Sequence, residues 1–341
     1  MATNILPEID FVVMWVDPSD PEWQRNKKRY SPDNSYGDRE ERYRDWEIFK
    51  YWFRGVEKYA PWVRKVHLVT RGHVPAWLDV NCDKLSIVKH SDYMPQEALP
   101  SFNSSVIEMY LHRIKDLAEH FVFFNDDMFL VGGVDKDYFF HDGLPRDMLA
   151  FQPVVANESN PGMTHVYINN MLVLARNFNK KECIKKNPGA FFHIGYPPLY
   201  YWYNFMERMI PRFTGLLSVH TAAPILKSCM AEIWEEEGET LSKLTSNRFR
   251  ADSDVNHYLV RGWQMLSGRF CPTNVARHFG YFEMQDNNDK CLRLIRKSSN
   301  KADKKILCIN DTGRVSDFDR VKKDFINAFE TAFKEKSSFE L

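Results

Sequence analysis

The sequence predicts an α/β fold with a Rossmann-like, mostly parallel sheet and helical insertions, and two observations support this prediction. Short apolar runs typical of buried strands alternate with stretches of helical spacing, an order typical of parallel sheets. Several predicted strands also end on polar or acidic residues, and open α/β sheets bind ligands at the carboxyl ends of their strands. The 341 residues suffice for one large domain or two ordinary ones.

The first half of the chain contains the β-α-β pattern. Its predicted elements, in order, are a strand (9–17), a helix (44–59), two strands (63–70 and 85–90) and a helix (106–114). We expect Asp or Ser before Pro21 to start a helix. Ser104 or Ser105 with Glu108 approximates a capping box for the helix over 106–114.

The stretch Phe121–Leu130 is predicted to be a buried strand that Asn125, Asp126 and Asp127 interrupt. Two adjacent carboxylates after a core strand are costly unless a partner satisfies them. A divalent cation is the usual partner, since Mg²⁺ takes one or two carboxylates and keeps its other sites for water and phosphate oxygens. The alternative is a turn between two hairpin strands without a metal. These residues alone leave both interpretations open.

The second half is predicted to complete a single catalytic domain over residues 1–341. We expect its core in residues 9–155 and 219–315, and a C-terminal helix over about 316–336. Residues 176–217, rich in aromatic side chains and lysine, are predicted to form a helical insert. That insert is either irregular packing or an acceptor-binding surface, because aromatic rings stack on sugars.

Composition narrows the class of protein. Lys and Arg (46) balance Asp and Glu (46), so no global field attracts nucleic acid or anionic lipid. The six cysteines are scattered without a CxxC pair, which disfavours a zinc ribbon or a disulfide framework and favours a reducing cytoplasm. We expect no signal peptide and no membrane span.

Polar residues at the ends of four predicted strands indicate a shared ligand site. They are Asp17, His90 with Asp92, the Asn125–Asp127 group, and Asn310 with Asp311. If these strands share a sheet, their side chains converge on one edge, which suits a nucleotide diphosphate held through a cation.

Arginines offer a matching set of positive charges. Arg44, Arg248 and Arg250 are candidates for phosphate oxygens, because the guanidinium presents a bidentate fork. The chain contains neither GxGxxG nor GxxxxGK[ST], which disfavours dinucleotide and P-loop sites. It also contains no GxSxG, which disfavours a serine hydrolase.

Four segments, in order, resemble the Stealth family of sugar-phosphate transferases, which includes bacterial capsule polymerases and the catalytic subunit of the lysosomal-enzyme GlcNAc-1-phosphotransferase. The first is Asp10–Asp17, and the second is a long series of matches between Arg44 and Asp127. The third is His220–Pro224 with Arg250 and Asp254, and the fourth is Cys308–Thr312.

This resemblance implies a GT-A-like Rossmann core and a definite reaction. The family transfers a sugar 1-phosphate from a nucleotide sugar, usually a UDP-sugar, to a hydroxyl of a glycan acceptor, and a nucleoside monophosphate leaves. In bacteria the product belongs to capsule or another cell-surface polysaccharide. Such chemistry depends mostly on positioning and charge neutralisation.

The resemblance also implies roles for individual residues. Asp126 and Asp127 would hold Mg²⁺ or Mn²⁺ against the diphosphate, and His220 would be the general base for the acceptor. Arg250 would stabilise charge on the transferred phosphate, unless it merely pairs with nearby acids such as Asp252. A histidine at a helix start is otherwise often only a cap.

Further residues would contact the donor. Trp15 and Asp17 would contact the nucleotide, with Arg44 as a phosphate partner, and Asn103 would lie by the sugar phosphate. Asp311 would complete the metal or phosphate shell, or else serve as a turn residue.

Two alternative functions stay open beside this one. They are a metal-dependent GT-A glycosyltransferase that releases UDP, and a non-catalytic subunit with the same fold. We expect a cytoplasmic protein, with peripheral association to membrane-bound synthesis machinery at the inner face of the membrane as an open option.

Overall fold

A computed structural model describes residues 7–31, 44–158 and 160–341. Within these ranges the protein is a mixed α/β structure with three sheets. Residues 32–43 lie outside the described residues. The strands are β1 (Ile9–Met14), β2 (Val66–Thr70), β3 (Leu85–Lys89), β4 (His120–Phe124), β5 (Met128–Leu130), β6 (Phe140–His141), β7 (Leu144–Asp147), β8 (Ala223–Leu226), β9 (Cys271–Pro272), β10 (Phe279–Gln285) and β11 (Ile306–Arg314).

The α-helices are interspersed with these strands along the chain. They are α1 (Pro21–Tyr30), α2 (Phe49–Tyr59), α3 (His90–Tyr93), α4 (Ser104–Met109), α5 (Lys136–Phe139), α6 (Pro161–Asn177), α7 (Lys180–Lys186), α8 (Pro188–Phe191), α9 (Pro198–Glu207), α10 (Lys227–Leu244), α11 (His257–Leu266), α12 (Asp289–Arg296) and α13 (Phe318–Ala332). Among the described residues, none of these helices combines the length and the apolar character that a bilayer crossing requires.

The largest sheet has the strand order β3-β2-β1-β4-β8. β1 pairs in parallel with both β2 and β4, placing Phe11 beside Val66 on one side and beside Val122 on the other. The side chains of these central strands are almost all buried, which explains their continuous apolar runs. The predicted α/β class is therefore confirmed at the level of a mixed α/β fold.

The predicted mostly parallel sheet is wrong, because all three sheets are mixed. β8 runs antiparallel to β4, and β5 runs antiparallel to β11, which is parallel to β10. In the third sheet β7 is antiparallel to β6 and parallel to β9. The sequence did not reveal β8, because a run of four apolar residues cannot be told from a helix start by periodicity. Its Pro224 is tolerated because β8 is an edge strand.

Side-chain caps set two of the helix starts. Asp20 accepts a hydrogen bond from the Trp23 amide, as the sequence predicted for the helix at Pro21. For α4 the predicted serine cap is wrong, since Asn103 is the N-cap and its Oδ1 accepts from the Ser105 amide at 3.1 Å. Asparagine is as good a cap as serine, so the choice depends on where the backbone turns.

Close packing of α2 on β5 places the Asp126–Asp127 turn firmly against the core. A Cβ atom at Gly55 would lie 2.7 Å from the Leu130 carbonyl oxygen, so only glycine permits this approach. Aromatic side chains fill the space around it, and the Trp52 ring meets that of Phe124 edge to face at 5.5 Å. The turn that follows Phe124 therefore has a rigid base.

Candidate active site

The Asn125–Asp127 turn joins the largest sheet to the second sheet. β4 ends immediately before it and β5 begins immediately after it. The Asp127 carbonyl accepts from the Ile309 amide of β11 at 2.8 Å, next to the β5–β11 ladder. The turn joins strands of two different sheets and not the two strands of a hairpin, and its position brings the end of β4 against β11.

A cluster of three side chains forms where the two sheets meet. The thiol of Cys308 donates to Asp127 Oδ2 at 3.2 Å, and His220 Nε2 lies 3.7 Å from the same oxygen. One potential ligand atom from each of the three residues lies within 4.8 Å of the others. Two of the predicted site residues, Asp127 and His220, are therefore brought together by the fold.

A hydrogen bond between the His220 ring and Tyr258, on the side of the ring away from Asp127, sets the orientation of His220. The tyrosine hydroxyl lies 2.9 Å from His220 Nδ1, so that Nε2 is the nitrogen directed to Asp127. Tyr258 lies in the first turn of α11, where Asn256 caps its amide at 3.1 Å. Burial raises the pKa of Tyr258 well above its usual value, so the hydroxyl stays protonated at physiological pH.

The neighbouring acid, Asp126, has a raised pKa. Desolvation by the surrounding protein is the larger cause and the negative charge of Asp127 the second, and together they raise the pKa of Asp126 to about 7. Asp45 adds a smaller repulsion. Asp126 as a residue is exposed at this turn, so a ligand can approach it. Adjacent carboxylates that repel each other are stabilised when a cation binds between them.

The donor atoms fit a hard divalent cation. Asp127 Oδ1 is buried and makes no hydrogen bond, and Asp126 offers a second carboxylate. Mg²⁺ and Mn²⁺ prefer such oxygen donors. Burial, followed by the charge of Asp127, raises the pKa of Cys308 well above its usual value, so its thiol stays protonated. Cys308 is therefore a hydrogen-bond donor to the acid.

A second group forms around Asp311. Its Oδ2 accepts from Trp46 Nε1 at 3.1 Å and lies 3.9 Å from Arg44 Nη1, while its Oδ1 accepts from the Gly313 amide at 2.9 Å. Asp311 has its two oxygens engaged within the protein, and among the described residues its ion-pair partner is Arg44.

Asn103 and Arg250 form a third group. Asn103 is fully buried, and its amide nitrogen donates to Asp254 Oδ2 at 2.8 Å and to the Phe249 carbonyl at 3.1 Å. Arg250 donates to the Ser104 hydroxyl at 3.0 Å. Burial raises the pKa of Asp254, and the charge of Arg250 is among the causes that oppose this rise, so a nearby acid is an electrostatic partner of Arg250. Asn103 thus ties the start of α4 to the loop that carries Arg250.

Trp15 and Asp17 form a fourth group after β1. The Trp15 ring stacks on Phe49 at 5.7 Å, and the Asp17 amide donates to His73 Nε2 at 2.9 Å. Burial lowers the pKa of His73, which favours the neutral ring that can accept this bond. In the described part of the chain, neither this group nor Arg250 makes a hydrogen bond or ion pair with the Asp127 cluster.

Sequence reasoning missed several side chains of the site. Cys308 was recognised only as part of a motif, although its spacing of two from Asn310 places both on one face of a strand. Tyr281, which bonds Asn310 and meets the His220 ring, had no distinguishing pattern. Tyr258 was equally unmarked, because a tyrosine in an apolar helix resembles any core residue.

Sequence comparisons identify two conserved regions in the chain. The chain matches the regions described as "Stealth protein CR1, conserved region 1" over residues 7–35 and "Stealth protein CR2, conserved region 2" over residues 42–147. These matches include β1 with the Trp15–Asp17 group and the Asn125–Asp127 turn.

Several bacterial proteins are similar over nearly the whole chain. The capsular polysaccharide phosphotransferase WcwK of Streptococcus pneumoniae is 41% identical over 338 residues, 98% of each chain. The receptor polysaccharide phosphotransferase WefC of Streptococcus gordonii is 37% identical over 99% of this chain and 100% of its own. The exopolysaccharide phosphotransferase cps2G of Lactiplantibacillus plantarum is 36% identical over 98% of this chain and 96% of its own.

These full-length similarities show that the chain is a transferase of the phosphotransferase class. The chain belongs to the Stealth family.

Proposed function

We propose that this enzyme transfers a sugar 1-phosphate from a nucleotide sugar, in the first instance a UDP-sugar, to a hydroxyl of a glycan during capsule or other cell-surface polysaccharide synthesis. The names of its relatives support polysaccharide as the acceptor class. The Asp127–His220–Cys308 cluster is the observation on which the proposal rests most, because it joins an acid to a potential base at the end of a core strand.

A Rossmann-like, GT-A-type core is part of this proposal. Four parallel strands, β3, β2, β1 and β4, lie side by side in one sheet. The Trp15–Asp17 group and the Asp126–Asp127 turn follow adjacent strands, where such sheets bind nucleotides. This placement supports nucleotide binding at the carboxyl ends of β1 and β4.

Asp126 and Asp127 are the proposed ligands of Mg²⁺ or Mn²⁺, which would neutralise diphosphate charge when bound. The unpaired Oδ1 of Asp127 and the raised pKa of Asp126 support this assignment. Asp311, predicted from the sequence as a further ligand, is proposed instead to position Arg44, because both of its oxygens are already bonded.

His220 is the proposed general base. With one proton on Nδ1, donated to the Tyr258 hydroxyl, Nε2 has a free lone pair that accepts the proton of the acceptor hydroxyl. The acceptor oxygen forms a bond to the phosphorus that carries the sugar. The bond from this phosphorus to the bridging oxygen breaks, and the nucleoside monophosphate leaves with that oxygen. The anomeric C–O bond is kept.

Arginines and polar groups around the cluster are proposed to hold the donor. Arg44 and Arg250 would contact phosphate oxygens, and the half-buried Trp15 with Asp17 would contact the nucleotide. Asn103 was predicted beside the sugar phosphate. Since its side chain is engaged within the protein, we propose that it acts by fixing the loop of Arg250.

The reaction can be tested with a UDP-sugar labelled on the phosphorus that bears the sugar. We expect UMP release, label on the acceptor, and loss of turnover with EDTA. His220→Ala is expected to lower kcat about 10²–10⁴-fold, and Asp127→Asn to reduce activity strongly. Asp289→Asn, an exposed acid at the start of α12, is the matched control and should leave activity unchanged.

Each alternative function has its own outcome in this experiment. Release of UDP with an unlabelled acceptor would identify a glycosyltransferase. An absence of turnover on every nucleotide sugar would support a non-catalytic subunit. Unchanged turnover in both site variants would show that the site is elsewhere.

A further inference from the structure

An exposed apolar ridge runs along α9 and the turn after it. Its side chains, three or four residues apart and therefore on one face of the helix, are Leu199, Trp202, Phe205, Met206 and Met209. Trp202 is 58% exposed and Met209 is 74% exposed. Large apolar side chains at such density on a surface indicate an interaction site.

The opposite face of α9 is firmly attached to the protein. The buried Asn204 accepts from the Phe151 amide at 2.6 Å and donates to the Leu149 carbonyl at 3.0 Å. Glu207 is also buried and accepts from Lys180 of α7 at 2.8 Å. α9 is thus held in a fixed orientation, with its ridge facing the solvent.

The segments that carry and adjoin this ridge are rich in positive charge, although the whole chain is neutral. The bond from Lys180 to Glu207 joins α7 to the C-terminal part of α9. Exposed cations follow on both segments, and between residues 177 and 214 the exposed acids consist of Glu182 alone. The exposed cations are Lys181, Lys185, Lys186, Arg208 and Arg212.

We propose that this face docks on an anionic phospholipid membrane. An apolar helix face with a tryptophan, flanked by lysine and arginine, is the composition of helices that lie in a membrane interface. The apolar side chains would enter the boundary of the acyl chains, and the cations would contact lipid phosphates. Contact with a second copy through the same face would bring two clusters of like charge together, which is unfavourable.

The ridge lies close in the chain to a cavity that is lined in part by the residues following the candidate base. The cavity has a volume of about 460 Å³, and Thr221 and Ala222, which follow His220 directly, line one part of it. His193 and Gly195 line another part, and Ile194 between them is 95% exposed. The α8–α9 loop therefore joins the cavity to the docking face. Under the proposed function, docking would present this cavity to an acceptor held at the membrane.

Vesicle sedimentation of the full chain tests the docking independently of the transfer reaction. We expect binding to vesicles of phosphatidylcholine mixed with phosphatidylglycerol, weaker binding to phosphatidylcholine alone, and a decline with added salt. Trp202→Glu with Met209→Glu should lower binding at least tenfold. Lys185→Glu and Lys186→Glu should each lower it about fivefold or more, since one cation contributes about 1 kcal/mol at such a surface.

Val80→Glu provides the matched control, because Val80 is 51% exposed and precedes β3, at the edge of the sheet opposite β8. It should bind vesicles as the wild type does. Thermal midpoints should stay unchanged in all variants, and turnover with a water-soluble acceptor should be kept, so that failure of docking is separable from failure of the proposed reaction.

Three results would overturn the docking proposal. The first is a wild type that does not sediment with the anionic vesicles, and the second is a ridge variant that sediments as well as the wild type. The third is a dimer, measured by light scattering, that the ridge substitutions convert to monomer while vesicle binding is absent. In that case the occupant of this face is a second copy.

Discussion

At the scale of single residues, Asp127 has a structural role through its backbone and a proposed catalytic role through its side chain. Its backbone carbonyl accepts from Ile309 of the second sheet, while its carboxylate accepts from Cys308 and faces His220. A side-chain change here removes the carboxylate and leaves the backbone bond. Loss of activity in Asp127→Asn therefore reports on the site rather than on the joining of the sheets.

Tyr258 is predicted to be a positioning residue for His220. Tyr258→Phe keeps the ring contact with Tyr167 at 5.9 Å and removes the hydroxyl that bonds His220 Nδ1. We expect kcat to fall about tenfold or more because the required tautomer is no longer favoured, with KM for the donor nearly unchanged. The acidic limb of the pH–rate profile should move.

Tyr281→Phe is the comparison for this variant, since it removes a hydroxyl that bonds Asn310 and not His220. A displaced pH profile in Tyr258→Phe alone would support the positioning role. An equal effect of the two substitutions would contradict it.

The raised pKa of Asp126 predicts a pH-dependent stability that a cation reverses. Its pKa of about 7 lies above the ordinary value of 3.8, so the folded state holds the proton more tightly than the unfolded chain does. In EDTA, this group lowers stability as pH rises from about 4 to about 7. The thermal midpoint of Asp126→Asn should depend less on pH and gain less from Mg²⁺ than that of the wild type. Equal Mg²⁺ shifts in both proteins would contradict the assignment.

At the scale of elements, the contact between α2 and β5 controls the position of the Asp126–Asp127 turn. Gly55→Ala gains helix propensity but forces a methyl group against the Leu130 carbonyl oxygen. We expect a net loss of about 1–3 kcal/mol in the free energy of unfolding, as for overpacked cores. Urea denaturation measures this loss.

Gly238→Ala in α10 is the matched control, because a Cβ atom there meets nothing within 4 Å. It should be neutral or stabilising by up to about 1 kcal/mol. Similar effects at both glycines would mean that close packing of α2 is not the reason for Gly55.

At the scale of the whole molecule, a hydrogen-bonded ionic network around the buried Asp10 links β1 to β2 and to the segments that precede β2 and β4. Asp10 of β1 accepts from Arg64 Nε at 2.8 Å and from the Ala118 amide at 2.9 Å, and lies 3.0 Å from His67 Nε2. Burial alone would raise the pKa of Asp10, but the hydrogen bonds from His67, Arg64 and Ala118 outweigh it and lower the pKa below 3.8.

This network predicts a stability difference that depends on pH. Because the folded pKa of Asp10 is depressed, its contribution is present above the unfolded value of 3.8 and is lost as pH falls through the folded value. Asp10→Asn should cost about 3–5 kcal/mol at neutral pH and less at about pH 3. Urea unfolding at both pH values measures this difference.

Glu8→Gln is the control for the network, since Glu8 is exposed and lies 3.8 Å from the same Arg64. Its effect should stay within about 0.5 kcal/mol at either pH. A similar loss in both variants would contradict a special role for the buried acid.

Sequence patterns predicted those strands of the largest sheet whose two faces are both buried. β1 and β4 are continuous apolar runs because neighbours cover both of their faces. β8 escaped prediction because four apolar residues before a helix contain no periodicity, and its antiparallel direction depends on the path of the chain. The Asn103 cap was missed for a similar reason, since three neighbouring polar residues were equally suitable.

The sequence by itself determined the α/β class, the membership in the Stealth family, and a short set of acids, arginines and one histidine from which the site is built. Only the tertiary structure decided which of them meet. Cys308 reaches Asp127 across 181 residues because the β5–β11 register pairs Cys308 with Met128, the residue after that acid. Strand pairing and register are set by packing between distant segments, and a pattern along the chain does not encode those distances.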